Sequence, residues 1–363
     1  MKQRLNITFP KSWNSCTAEQ LEFIAAVTRE QTERVDRYHP FDMMAVKLAM
    51  FFTFGKFKVE ETPSVPVADM TATELQTAAY LVSHPDIEGV FELPLASISY
   101  WLNGVDGIKR WEAIMRQAEE AKKVSPKRKN DRAHQPKKPA PLPKKEVAGV
   151  FDWMDDPQAQ GLTLCPYETF NTKAGILAGP APLLDGFSWQ RYRYCNDYMQ
   201  FYLSENNKFV TLQYRYAQFV NDKYRQDQIR EAYNDMRSAR ANFLACLLCP
   251  KDEEWTTAMI ERLTPALIDF DDDKWQVLLF FWSGCMHYLH KEYPHCFKTQ
   301  EVKGAPANPL QLYTRTVATI EKYLGLNEKE VNAESFHNVF QHLENMAKEN
   351  EQLEKLRSKN HKR

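Results

Sequence analysis

A mainly α fold, built as two helical regions, is what this sequence predicts, on three observations. Glycine is scarce at 12 of 363 residues, about half the usual share of ~7%, while aromatic residues reach 12%. That balance favours long helices joined by short proline-containing turns over glycine-turned strands. Apolar residues recur at spacings of three and four along most of the chain. Between positions 122 and 145, ten Lys or Arg, five Pro and a single acid, Asp131, leave no apolar face to bury.

This basic Pro/Lys-rich tract sets the organisation: an N-terminal helical domain over 1–121, a basic disordered linker over 122–148, a C-terminal helical domain over 149–326, and a terminal helix and tail over 327–363. The tract carries a net +9 in a chain whose total is −1. The folded remainder is therefore acidic, and nearly all the positive potential sits on one solvated spacer stiffened by Pro136, Pro139, Pro141 and Pro143.

Element by element, Thr17 with Gln20 makes a capping box that predicts a helix from Ala18, with Leu21, Ile24, Ala25 and Val27 as its apolar stripe. Phe41, Met44, Ala45, Leu48, Phe51 and Phe52 predict a second helix that stops at Gly55. Thr71 with Glu74 predicts a third through Leu75, Ala78, Ala79 and Val82. Residues 90–95 read as a short strand, and Ile108, Trp111, Ile114 and Met115 as a helix running into the basic tract. Residues 151–182 read as irregular. Ser188 stands as the N-cap of an aromatic helix through Trp189, Tyr192, Asp197, Tyr198, Phe201 and Tyr202, and another helix is expected to begin within 209–219. Residues 224–250 read as a long helix, polar in its first half, apolar over 243–248 and stopped by Pro250. Asp271, Asp272 and Asp273 stand at the start of a helix over 275–288, where carboxylates complement the helix dipole. Finally Phe336, Val339, Leu343, Met346, Asn350 and Leu353 alternate at three and four, a short seam that either packs back on the protein or self-associates.

The opening MKQRLNITFPKSW lacks the apolar run of a signal peptide, and the longest strongly apolar segment, 275–282, is far short of the ~20 residues that span a bilayer. A cytoplasmic protein without a membrane partner is the expectation. Seven cysteines without framework spacing are expected to be reduced thiols.

Two constellations carry candidate chemistry. Cys246 and Cys249, with Cys285, His287 and His290, supply the soft thiolates and imidazoles of a tetrahedral zinc site, with His295 and Cys296 nearby. The ordinary reading is core cysteine, because Cys246 and Cys249 lie in an apolar helix without a zinc-ribbon turn. For nucleic acid, Lys127, Arg128, Lys129, Arg132, Lys137 and Lys138 of the linker offer phosphate contacts. Trp189, Arg191 and Arg193 interleave rings and guanidinium groups as a single-strand stacking platform does. No P-loop, Gly-x-Ser-x-Gly elbow or His-Glu-x-x-His is present, so no catalytic residue and no cofactor is assigned and a non-enzymatic protein is expected.

Several stretches together resemble an uncharacterised family of helical proteins encoded in prophages and related mobile elements of anaerobic gut bacteria. They are LNITFPKSW at 5–13 with TAEQL at 17–21, the Gly179-Pro180-Ala181 lead into an aromatic helix, LACLLCP at 244–250, and the 275–288 helix. The resemblance implies a phage setting, in which this protein is an accessory or chaperone-like factor in particle or tail assembly with phage structural proteins as partners. The alternatives are a nucleic-acid-associated factor that binds through the linker and a zinc-binding protein.

Overall fold

The structure, a computed structural model, describes residues 7–33, 43–63, 78–103, 150–154, 161–216, 219, 222–297 and 309–360. Over these the chain is mainly helical with two small three-stranded sheets. It divides into two compact units, Met1–Ala159 and Gln160–Arg363.

In the first unit the Gln20 N–H donates to the Thr17 hydroxyl at 3.2 Å, and the Thr17 N–H donates to the Gln20 side-chain carbonyl at 2.9 Å. This reciprocal cap starts α1 (Ala18–Glu33) at the predicted position. Leu21, Ile24 and Ala25 are buried, and α1 packs against α2 (Met43–Phe54). Helix α2 ends at Gly55 as expected: Lys56 takes a left-handed φ of 56°, the Phe57 N–H reaches back to the Phe52 carbonyl, and the Lys56 N–H reaches the Thr53 carbonyl. Two otherwise orphaned carbonyls are thereby satisfied.

Strands β1 (Lys58–Glu61), β2 (Ala79–His84) and β3 (Ile87–Pro94) form an antiparallel meander with β2 in the centre. Ala79 and Val82 therefore lie in a strand and not in the helix expected of them. Tyr80, Val82 and His84 are buried while Ala79, Leu81 and Ser83 are only half-buried, a period of two that is masked in the sequence because two of the three inward residues carry polar tips. The strand expected over 90–95 is present as β3, but Leu95 begins α3 (Leu95–Asn103), a helix the sequence reading did not assign. The Thr71 and Glu74 box, the helix through Trp111 and the linker over 122–148 lie outside the described residues.

Phe151 meets Phe9 edge-on at 5.3 Å, Trp153 meets Trp13 at 4.9 Å, and the Trp153 indole donates to the Pro10 carbonyl at 3.0 Å. Residues 150–154, placed by the sequence reading at the start of its second region, thus pack within the first unit.

The second unit is built on a long helical hairpin, α4 (Trp189–Tyr216) and α5 (Lys223–Leu247). The Ser188 hydroxyl accepts from the Arg191 N–H at 3.2 Å, the cap the sequence predicts. Helix α4 then runs unbroken for 28 residues, so no new helix begins within 209–216. The stretch read as irregular holds a hairpin, β4 (Thr169–Thr172) with β5 (Gly175–Ala178), to which the two-residue β6 (Cys249–Pro250) adds at the end of α5. After α6 (Ala258–Leu267), Asp271 accepts from the Lys274 N–H at 2.9 Å and starts α7 (Asp272–Glu292). Trp275 of α7 packs on Tyr202 of α4 at 4.9 Å, and Trp282 packs on Phe243 of α5 at 5.2 Å. The other carboxylates of the run serve structure too: Asp269 pairs with Lys173 and Arg237, and Asp272 with Arg240.

Helices α8 (Pro309–Leu324), α9 (Glu328–Ala333) and α10 (Phe336–Asn360) complete the unit. The start of α10 is stitched to the start of α4: the Trp189 N–H donates to the Glu334 carbonyl at 2.7 Å, and the Phe336 N–H to the Phe187 carbonyl at 3.2 Å. Tyr192 stacks on Phe336 at 4.9 Å. The terminal seam therefore packs back on the unit through its first half, where Phe336, Val339 and Phe340 are buried.

Candidate functional site

The zinc candidates do not converge. Cys246 on α5 lies within hydrogen-bonding reach of Cys195 on α4, and burial pushes its thiol well above the ordinary range. Cys249 turns its sulfur to the Glu253 carbonyl at 3.1 Å. Cys285 is buried in α7, its thiol pushed up to about 12 by burial. The His290 ring stacks on Phe297 at 4.0 Å, and burial together with neighbouring His287 lowers its pKa. Among the described residues, no group of three or more His, Cys, Asp or Glu is arranged to hold a metal ion. Thiols held protonated in apolar surroundings are poor ligands and poor nucleophiles.

The stacking platform is folded inward. Trp189 is 7% exposed, packed on Phe340 at 5.6 Å and on Tyr192 at 5.7 Å. Arg191 spends its guanidinium on the end of α5: Nε donates to the Cys246 carbonyl at 2.9 Å and Nη2 to the Leu247 carbonyl at 3.0 Å, with the plane 3.9 Å over the Phe187 ring. It is a helix C-cap supplied from the neighbouring helix, where a cation complements the dipole. Burial accordingly lowers its pKa. Arg193 sits 5.4 Å from the Tyr194 ring, and burial raises the Asp197 carboxyl pKa, with the Arg193 charge offsetting it only in part. Lys127, Arg128, Lys129, Arg132, Lys137 and Lys138 lie outside the described residues.

What stands out is the distal half of the hairpin. Tyr192, Cys195, Met199 and Tyr202 bury one face of α4, and on α5 the buried positions begin at Ala232 and Met236. Beyond Tyr202 no residue over 203–216 is buried, nor is any over 223–231 of α5. At a rise of 1.5 Å per residue, an arm of about 21 Å extends past the last buried position of α4.

The arm is held by its own zipper. Phe209 packs on Tyr233 at 5.3 Å, and Lys208 pairs with Asp235 across the helices at 3.1 Å. At the tip Asp222 caps α5 by accepting from the Arg225 N–H, and the Arg225 guanidinium covers the Phe219 ring at 3.6 Å. Outside this zipper Leu203, Val210 and Tyr214, spaced by seven and four, share one face of α4 and are all exposed. Tyr214 is 79% and Tyr224 72% exposed. Lone exposed apolar residues are ordinary, but an open stripe on α4 ending in Tyr214, with Tyr224 open near the start of α5, has the make-up of a contact surface.

Sequence reasoning did not mark this stripe. Periodicity marks an apolar face without saying whether another element covers it, and here the α4 stripe passes from core to solvent within one uninterrupted helix. Comparison with known proteins adds no relative: no protein-family model, curated protein or solved structure matches the chain.

Proposed function

We propose that this is a non-enzymatic interaction protein whose second unit engages a protein partner with the distal α4–α5 arm. The observation that carries the reading is the uncovered stripe Leu203, Val210 and Tyr214 on α4, with Tyr224 exposed on α5. Each large side chain withdrawn from water contributes about 1.5–3 kcal/mol, and tyrosines add area at low entropic cost. The resemblance to mobile-element proteins supports an accessory or chaperone-like step in phage particle or tail assembly, and the opening without a signal-peptide run supports a cytoplasmic setting for it. No described helix is long and apolar enough to cross a membrane.

The test is affinity recovery of tagged full-length protein, wild type and Tyr214→Ala/Tyr224→Ala, from the host with the element induced, with and without nuclease. Particle or tail proteins recovered by the wild type in nuclease-treated lysate and lost by the double variant support the reading. Recovery indifferent to the two tyrosines removes the arm from the account. Recovery that collapses with nuclease moves the activity to nucleic acid and to Lys127, Arg128, Lys129, Arg132, Lys137 and Lys138.

A further inference from the structure

Helix α10 changes surroundings along its length in the way α4 does. The face that is core at Phe336, Val339 and Phe340 is half-buried at Leu343 and Met346, and it emerges at Asn350 and Leu353. Leu353 is 51% and Leu356, one turn on, 58% exposed. Beside Met346 the same face opens into a groove of about 650 Å³ between α8 and α10, lined by Ala318, Thr319, Lys322, Tyr323 and Met346. Met346 and Leu353 are seven residues apart, so the groove and the leucines form one continuous strip along two turns.

The charge along this strip names its occupant. Residues 349–354 carry three acids, Glu349, Glu351 and Glu354, and no base. Residues 355–359 carry three bases, Lys355, Arg357 and Lys359, and no acid. A helix that switches sign at one point is complementary to a copy of itself running the opposite way, and repels a copy running the same way. With the two-fold axis between 354 and 355, Leu353 falls opposite Leu356 of the second copy and each acidic half lies along a basic half. The contact is then isologous and closed. In that register the last helical residue of the second copy, at position 360, falls opposite Glu349, about one turn short of Met346.

We infer that the distal half of α10 is a self-association surface that pairs two copies of this chain antiparallel. It is distinct from the α4–α5 arm, so a dimer presents two arms to partners. The paired stretch, 12 residues over 349–360, spans only about 18 Å. This lies below the ~800 Å² per partner of a standard stable interface, so half-association is expected at roughly 10–100 µM.

Sedimentation velocity on the full chain across that range, at low and at high salt, tests it. The wild type is expected to pass from monomer to dimer with concentration and to weaken with salt. Leu353→Asp/Leu356→Asp is expected to weaken association by on the order of a hundredfold. Glu349→Lys/Glu354→Lys and Lys355→Glu/Lys359→Glu should each stay monomeric, while the quadruple variant that exchanges both sets should dimerise again. Lys355 pairs with Glu351 at 3.1 Å and Glu351 meets the His295 ring at 3.5 Å, so far-ultraviolet circular dichroism and the unfolding midpoint are read on every variant to confirm that each keeps its fold. A wild type that is monomeric at the highest concentration overturns the inference, as does a dimer indifferent to Leu353 and Leu356. A quadruple variant that stays monomeric overturns the antiparallel arrangement.

Discussion

Arg191→Met separates a structural guanidinium from a nucleic-acid contact. Methionine keeps an apolar stem over the Phe187 ring but removes the fork that holds the Cys246 and Leu247 carbonyls at 2.9 and 3.0 Å. Hydrogen bonds from a charged donor contribute about 1.5–3 kcal/mol each. Both carbonyls belong to the last turn of α5, where no backbone N–H of the helix reaches them. The Arg191 side chain is half-buried, so water recovers part of the loss, and a net cost of about 3 kcal/mol is expected. For a unit of this size each kcal/mol moves the midpoint by ~2–4 °C, which places the shift at roughly 6–12 °C. Lysine retains the charge without the fork and should fall between. The assay is urea and thermal unfolding of the full chain followed by tryptophan fluorescence, reading the transition of the second unit. A change under ~0.5 kcal/mol, in the range of an ordinary surface substitution, would refute the capping argument.

Four further outcomes follow from the same geometry. Glu344 is 1% exposed and accepts from the backbone N–H groups of His295 and Cys296 at 2.8 and 3.0 Å, from the His295 ring and from Lys348; Glu344→Gln should cost about 2–4 kcal/mol at pH 7 in chemical denaturation. Burial pushes the Glu344 carboxyl up, but these bonds outweigh it and leave the pKa lowered. Its contribution is therefore full above the unfolded carboxylate pKa of ~4.3 and is lost as pH falls through the lower folded value, so the gap between wild type and variant should close in acid. At Gly284 an added Cβ would stand 2.6 Å from the Leu162 nitrogen and closer still to its carbonyl oxygen; Gly284→Ala should lower the midpoint of the second unit by several degrees, because backbone rather than a movable side chain blocks it. Tyr214→Ala/Tyr224→Ala should leave unfolding within ~0.5 kcal/mol of wild type while abolishing partner recovery. Cys246→Ala should cost about 1–2 kcal/mol in packing with unchanged metal content by plasma mass spectrometry; stoichiometric zinc lost on this change would revive the metal reading.

What was legible in the sequence was local. The Thr17 and Gln20 box, the Ser188 cap, the Gly55 stop and the Asp271 cap each depend on residues within one turn, and each occurs where the chemistry requires it. The long apolar runs of α5 and α7 were equally plain. Strand β2 was not, because Leu75, Ala78, Ala79 and Val82 satisfy a helical spacing while the inward Tyr80 and His84 do not score as apolar. The β4–β5 hairpin is only four residues a side and pairs with a segment far along the chain. The candidate surface was hidden for a further reason. Trp189 and Tyr214 sit on one helix in similar local company, and only the aromatic cluster of Tyr192, Trp282, Phe336 and Phe340 decides that the first is core and the second open.

The central claim is that the distal arm touches a protein. A photoreactive phenylalanine analogue placed at position 214, with a second at the buried position 192 as control, reads this directly in the induced host after nuclease treatment. The account predicts a discrete protein cross-link at 214 that is absent at 192. No cross-link at 214, or one that yields nucleic acid, would contradict it.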